Sequence, residues 1–157
     1  MTPNPRVIFV AGLLALGAIA TGMLAHGGTV TMPRSERAAP GDVALWRPHL
    51  RVVDEQLAHG HVDVAVRVWH DAYAAALASR SWEGMVATGD AFMRIGHVAG
   101  AAEGARLNAR RAHVTGLIRA RRDGSLDGAL RSADAFRELG DSALADLSLH
   151  VAADLAC

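Results

Sequence analysis

Histidine is the residue type in this sequence best suited to chemistry, and it occurs eight times. The densest group is His59 and His61, which flank a glycine, followed by His70 about two and a half helical turns later. Two imidazoles beside a turn can bind a transition metal, and Asp63 or Asp71 would add oxygen ligands. No two of these histidines stand four residues apart, the spacing that places two ligands on one helical face. We therefore assign no metal and no cofactor, and a small-ligand or metal site at His59, His61 and His70 is the alternative function.

Other signs of catalysis are missing from the sequence. It contains no nucleophile motif, no glycine loop that cradles a phosphate, and no acid pair isolated in an apolar setting. Cys157 is the single cysteine, so we interpret it as a free thiol. A bridge between two chains is the other interpretation for an oxidising compartment. The sequence predicts a protein that is not an enzyme and has no catalytic residue.

Charge is unevenly distributed over the last third of the chain. Residues 103–122 carry six Arg against one Glu, and residues 123–157 carry seven acids against two Arg. Opposite charges on the solvated faces of neighbouring helices would offset one another. The other interpretation is a basic surface for an acidic partner or for anionic lipid headgroups. Its candidate contact residues are Arg110, Arg111, Arg119, Arg121 and Arg122.

The composition indicates helices. Hydrophobic residues make up 51% of the chain and aromatic residues 4%, and the apolar share consists mainly of Ala and Leu, which favour helix over strand. The formal net charge is zero, so the chain lacks the positive field typical of proteins that bind nucleic acid. We predict one all-α domain without a nucleic-acid partner.

The N-terminal part carries the strongest single signal. Residues 7–24 are uncharged and apolar, follow Arg6, and are just long enough to cross a bilayer as a helix. The stretch also fits a cleaved secretory signal, with small residues at Ala18 and Ala20 before a cleavage point at Thr21. We predict a transmembrane anchor over 1–26, or a cleaved signal, and a linker over 27–42. The helical domain over 43–157 is expected on the extracytoplasmic, periplasmic side of a single-pass membrane protein.

Beyond residue 43, apolar residues recur at helical spacing and glycines interrupt the pattern at Gly60, Gly96 and Gly140. Each glycine follows the last apolar residue of a helix, where a left-handed cap suits glycine. The pattern predicts three antiparallel helix hairpins: 43–59 with 62–79, 81–95 with 98–121, and 125–139 with 142–156.

An internal repeat supports this arrangement, because residues 89–96 (GDAFMRIG) and 133–140 (ADAFRELG) align without a gap. An alanine also follows each of the three glycines by five residues. This pattern resembles the tetratricopeptide-repeat family, or a divergent relative, over roughly residues 45–156. The resemblance implies a superhelix of stacked hairpins, in which the repeat-packing residues are Gly60, Ala65, Ala72, Gly89, Phe92, Gly96, Ala101, Ala133, Phe136, Gly140, Ala145 and Ala152.

The glycine spacing departs from that family. The three glycines are 36 and then 44 residues apart, whereas the family repeats every ~34 residues. A generic helical bundle therefore stays open as the alternative, since alanine at helical spacing suits any close-packed bundle.

The resemblance implies a concave groove, lined by the first helix of each hairpin, that binds a peptide or protein. Together with the anchor at residues 7–24, it suggests a membrane-tethered protein-protein interaction module. Such a protein would serve as an adaptor or accessory subunit of a larger membrane-associated assembly. A purely structural subunit, whose anchor packs among other membrane helices, would have the same fold.

Overall fold

The computed structural model describes residues 45–157, which form helices and contain no strand. The prediction of an all-α domain is confirmed. The helices are α1 (Trp46–Ala58), α2 (Val62–Ser79), α3 (Trp82–Val98), α4 (Ala102–Arg122), α5 (Leu126–Glu138) and α6 (Ser142–Ala156). None of these helices has both the length and the apolar character needed to cross a bilayer. The predicted anchor and the whole of the predicted linker lie outside the described residues.

The helices pack as three hairpins, α1 with α2, α3 with α4, and α5 with α6. Each hairpin also contacts the next one, through α2 with α3 and α4 with α5. The first helices α1, α3 and α5 contact one another in order. Among the second helices, α4 touches α6, whereas the backbones of α2 and α4 stay apart and the side chain of Arg119 bridges them. Because the backbones approach more closely among the first helices than among the second, the first helices line the inner side of the stack.

The turns within the hairpins lie at Gly60, Gly100 and Gly140, where φ is 76°, 65° and 73°. At each turn the glycine N–H donates to the carbonyl three residues earlier, and the next N–H donates to the carbonyl five residues earlier. This is the Schellman arrangement, which requires the left-handed backbone that glycine adopts readily. The predicted bend at Gly96 is wrong, because α3 continues through Gly96 to Val98. The turn glycines are evenly spaced, 40 residues apart (100 − 60 and 140 − 100).

Gly96 has a packing role instead of a turn role. A Cβ atom at this position would lie 2.3 Å from the Cβ of Ala105. α3 and α4 can therefore pack this closely only because residue 96 has no side chain. The correction moves the packing alanines of the middle hairpin as well. Ala105 and Ala112 take the place predicted for Ala101, which is half-buried at the start of α4. Buried alanines then recur at intervals of 40 residues, as Ala65, Ala105 and Ala145, and as Ala72, Ala112 and Ala152.

The uneven predicted spacing arises from an extra turn of helix. Ser81 and Ser125 cap α3 and α5 in the same way, each accepting a hydrogen bond from the backbone N–H of a glycine, Gly84 or Gly128. α3 has 17 residues and α5 has 13, so α3 is longer by four residues, about one turn. The aligned segments 89–96 and 133–140 lie at the same distance from the starts of α3 and α5, so they are 44 residues apart. The turn glycines at the other ends of these helices, Gly100 and Gly140, are 40 residues apart. Of the predicted packing residues in the aligned segments, those that are buried are Gly89, Phe92, Gly96, Ala133 and Phe136.

Two buried clusters hold the hairpins together. In the first, the rings of Trp69 and Phe92 lie 4.4 Å apart and join α2 to α3. The Trp69 indole N–H also donates to the carbonyl oxygen of Thr88 at 2.8 Å, within the core. The second cluster surrounds the fully buried Phe136 and joins α4, α5 and α6. These contacts fix the positions of α1, α3 and α5 relative to one another.

Candidate binding groove

An open groove of about 590 Å³ lies between α1 and α3, on the side of the stack formed by the first helices. This volume is within the range of about 300–1,000 Å³ usual for binding pockets. We call it the α1–α3 groove. Its lining residues are Trp46, Arg47, Pro48, Leu50, Arg51 and Asp54 from α1, with Ala87, Asp90 and Arg94 from α3.

The apolar base of the groove is formed by Trp46 and Leu50, which are both buried. The indole of Trp46 lies against α3 where residue 84 is glycine, since a Cβ there would be 2.9 Å from the indole Nε1. The guanidinium carbon of Arg47 lies 5.1 Å from the Trp46 ring centroid, within the range of a cation–π contact. The first turn of α1 is thus fixed against α3, and this wall of the groove is preformed.

Ion pairs cross the groove and continue along the first helices. Arg94 donates from Nε and Nη2 to Asp54 Oδ1, at 3.0 and 2.8 Å. Arg131 of α5 donates from Nη2 to Asp90 Oδ2 at 2.6 Å. Arg47 and Arg51 are exposed, and neither forms an ion pair with any residue of the described part of the chain. The groove lining therefore contains three arginines and two aspartates.

A buried imidazole lies beside the carboxylate of Asp90. His113 of α4 is 1% exposed, and its Nε2 lies 3.2 Å from Asp90 Oδ1, but the two atoms do not form a hydrogen bond. The ring has room because residue 89 is glycine, where a Cβ would lie 2.2 Å from the imidazole. Phe136 packs edge-on against the same ring, with centroids 6.0 Å apart. Asp90 thus lies between α4 and α5, and the hydrogen bond from Arg131 of α5 holds its carboxylate.

The sequence prediction did not single out the residues of this groove. An available signal was the charge pattern of the first helices, since Asp54 and Arg94 are 40 residues apart, as the turn glycines are. A second signal was His113, which stands on the Ala- and Gly-rich face of α4 and is buried there. Both signals become recognisable only when the turn of the middle hairpin is placed at Gly100, because the repeats then align at intervals of 40 residues.

The predicted histidine group lies at the α1–α2 turn, away from the groove lining. His59 Nδ1 is 2.7 Å from the carbonyl oxygen of Glu55, and His61 Nδ1 is 3.1 Å from Gln56 Oε1. The two rings stack with centroids 5.9 Å apart, while His70 lies farther along α2. Among the residues that the structure describes, no three His, Cys, Asp or Glu side chains converge as metal ligands. No observation favours the alternative function at this turn.

Two of the predicted contact arginines are bound to other parts of the domain. Arg110 donates from Nε to Asp141 Oδ2 at 2.7 Å. This hydrogen bond, with a second one from the Leu144 N–H, holds the pKa of Asp141 below its usual value of 3.8. Arg122 donates to Asp123 Oδ1 and to the Arg80 carbonyl oxygen, and the hydrogen bond to Asp123 raises the pKa of Arg122.

Arg119 forms hydrogen bonds within the domain. Its guanidinium donates to the carbonyl oxygens of Ala76 and Ser81 at 2.9 and 3.0 Å, and to that of Leu77 at 3.2 Å. It therefore caps the end of α2 and joins it to α4, and burial lowers its pKa. Arg111 and Arg121 remain as exposed candidates, and neither has an ion-pair partner within residues 45–157.

Comparisons of this chain with protein-family models, with curated proteins and with solved structures found no match.

Proposed function

We propose that this protein is a membrane-tethered interaction module, an adaptor or accessory subunit that holds a segment of a partner protein in the α1–α3 groove. The observation that carries the proposal is the groove itself, a preformed cleft with an apolar base and two exposed arginines, Arg47 and Arg51. Clefts with an apolar surface and a few fixed polar groups are the usual form of a binding site.

The repeat-like packing supports a role in binding rather than in catalysis. Buried alanines at Ala65, Ala105 and Ala145 allow close contact between helices in each hairpin, as in the tetratricopeptide-repeat arrangement that the sequence resembles. Stacked hairpins present a continuous inner surface made by the first helices, and proteins of this architecture use that surface for partners. The groove lining contains arginine, aspartate and apolar residues, and we propose no catalytic group among them.

Site-specific photocrosslinking in the cells of origin tests the groove. A photoreactive amino acid at Pro48, which is exposed and lines the groove, should give a discrete adduct with one partner protein. The matched control places the same amino acid at Ala74, an exposed position on α2 outside the groove lining. An adduct at Pro48 that is absent at Ala74 supports the proposal. Equal adducts at both positions, or none at Pro48, contradict it.

The tether is tested separately, because it depends on residues 7–24, which are apolar and uncharged. We expect the full chain to remain in the membrane pellet after washing with alkaline carbonate. We also expect protease to reach the helical domain once the periplasm is opened and before the inner membrane is permeabilised. Release of a shortened chain into the supernatant would instead identify residues 1–26 as a cleaved signal.

A further inference from the structure

Some arginines at the α1–α3 groove form ion pairs with carboxylates, and others do not. Arg94 is bound by Asp54, and Arg131 is bound by Asp90. Arg47 and Arg51 are one turn apart on α1 and have no acidic partner among the described residues. Like charges at this spacing repel and destabilise a helix slightly. Asp54 and Glu55 follow on the same helix, but no carboxylate of the described residues lies within ion-pair distance of Arg47 or Arg51.

The outer side of the first hairpin shows a contrasting arrangement. Arg67 on α2 is exposed, and it donates to Asp63 one turn earlier in the same helix, at 3.1 Å. Its charge is therefore compensated locally. Arg47 and Arg51, by contrast, line the groove and form no ion pair within the described residues.

We propose that the groove selects an acidic segment of the partner protein, whose carboxylates bind Arg47 and Arg51; this inference rests on the proposed interaction function. A guanidinium group binds a carboxylate through two parallel hydrogen bonds, which gives directional as well as electrostatic recognition. The two arginines lie about 6 Å apart along the helix axis. Two acidic side chains one turn apart in a helix, or two residues apart in an extended segment, match that distance.

The fixed acids of the groove sharpen this selection. Asp54 is held by Arg94, and Asp90 is held by Arg131. Since the carboxylates of Asp54 and Asp90 are already paired with Arg94 and Arg131, they do not form ion pairs with Arg47 or Arg51. A basic segment would have to break these ion pairs and would meet unpaired arginines, so the groove disfavours it.

The test uses the full chain in nanodiscs of phosphatidylcholine, a lipid without net charge, and a display library of random twelve-residue peptides. We expect the wild-type protein to enrich peptides with net negative charge. For the best peptide, replacing its Glu and Asp by Gln and Asn should weaken binding at least about tenfold. The variant Arg47→Gln/Arg51→Gln should weaken binding of the acidic peptide by a similar factor. The control Arg67→Gln should bind within about twofold of wild type, since it lies outside the groove.

Two further measurements separate the possible outcomes. Arg47 and Arg51 are exposed, and the cation–π contact that Arg47→Gln removes is worth at most about 1 kcal/mol. The double variant should therefore melt cooperatively within about 8 °C of wild type, which excludes unfolding as the cause of weak binding. A variant that fills the groove, Ala87→Trp, should abolish binding of any peptide held there. Enriched neutral or basic peptides that Ala87→Trp abolishes would overturn the acidic preference and leave the interaction function standing. If no peptide is enriched, or if Ala87→Trp has no effect, both proposals are wrong.

Discussion

Replacing Gly96 by alanine tests how the middle hairpin is packed. The new Cβ would lie 2.3 Å from the Cβ of Ala105, far inside van der Waals contact, and both atoms are attached to helix backbone. Overpacking of this kind costs about 3 kcal/mol at the upper end of its usual range. Alanine also gains about 1 kcal/mol of helix propensity over glycine. We expect Gly96→Ala to lower the free energy of unfolding by about 2 kcal/mol, the difference between these effects.

The second half of this prediction is a rescue. Ala105→Gly removes the methyl group that the new side chain would strike, and alone it should cost about 1 kcal/mol through helix propensity. In the double variant the single methyl simply moves from α4 to α3. We therefore expect the double variant to be within about 1 kcal/mol of wild type, a coupling of about 2–3 kcal/mol between the two sites.

Urea unfolding followed by circular dichroism measures the free energy of unfolding of the wild type, the two single variants and the double variant. For a domain of about 100 residues, a stability loss of about 2 kcal/mol corresponds to a decrease in Tm on the order of 10 °C. If Gly96 were a turn glycine, Ala105→Gly would not restore stability, because the strain would be in the backbone dihedral of residue 96. Additive effects of the two substitutions would therefore refute the packing described for α3 and α4.

Three further predictions concern the same domain. Gly104→Ala on α4 should raise the free energy of unfolding by about 0.5–1 kcal/mol in urea, because a Cβ there meets nothing within 4 Å and alanine favours helix; a loss of stability would show that α4 is packed differently. Arg119→Gln should cost about 1–2 kcal/mol by removing hydrogen bonds to carbonyls at the end of α2, and amide exchange at that end should accelerate, whereas Arg121→Gln at an exposed position should change neither. Arg110→Gln should raise the pKa of Asp141 toward 3.8, because the Arg110 hydrogen bond is the main cause of its lowered pKa. Since the folded-state pKa of Asp141 is lowered, its stabilisation of the fold is complete above the unfolded pKa of about 3.9 and disappears as the pH falls through the folded pKa. Melts of the wild type and of Arg110→Gln should therefore differ at pH 7 and converge in acid. A difference in Tm that persists in acid would contradict this.

The helices themselves were predicted well because their signals are local. Apolar residues at helical spacing, Ala-rich composition and capping residues each act within a few positions along the chain. The prediction for α2 was 62–79 and that for α6 was 142–156, and both agree with the structure. The turn glycines Gly60 and Gly140 were also correct, since each follows its helix without a competing glycine nearby.

The error at Gly96 shows what a local pattern does not distinguish. Gly96 and Gly100 each have an alanine five residues later, Ala101 and Ala105, so both positions fit the expected turn. One glycine is required because φ is positive, and the other because a neighbouring helix comes too close for a side chain. Either requirement selects the same residue type, and the second depends on a contact between helices. The even spacing of 40 residues would have favoured Gly100.

The groove depends on contacts that no local pattern contains. Asp54 and Arg94 meet across 40 residues of sequence, and Arg131 meets Asp90 across 41. His113 is buried only because residue 89 lacks a side chain on the facing helix. Residue types and helical periodicity were sufficient to identify the elements, since helix formation is governed by neighbours along the chain. The stacking of the hairpins selected which charges became paired and which were left at the cleft, because that depends on distances between residues remote in sequence.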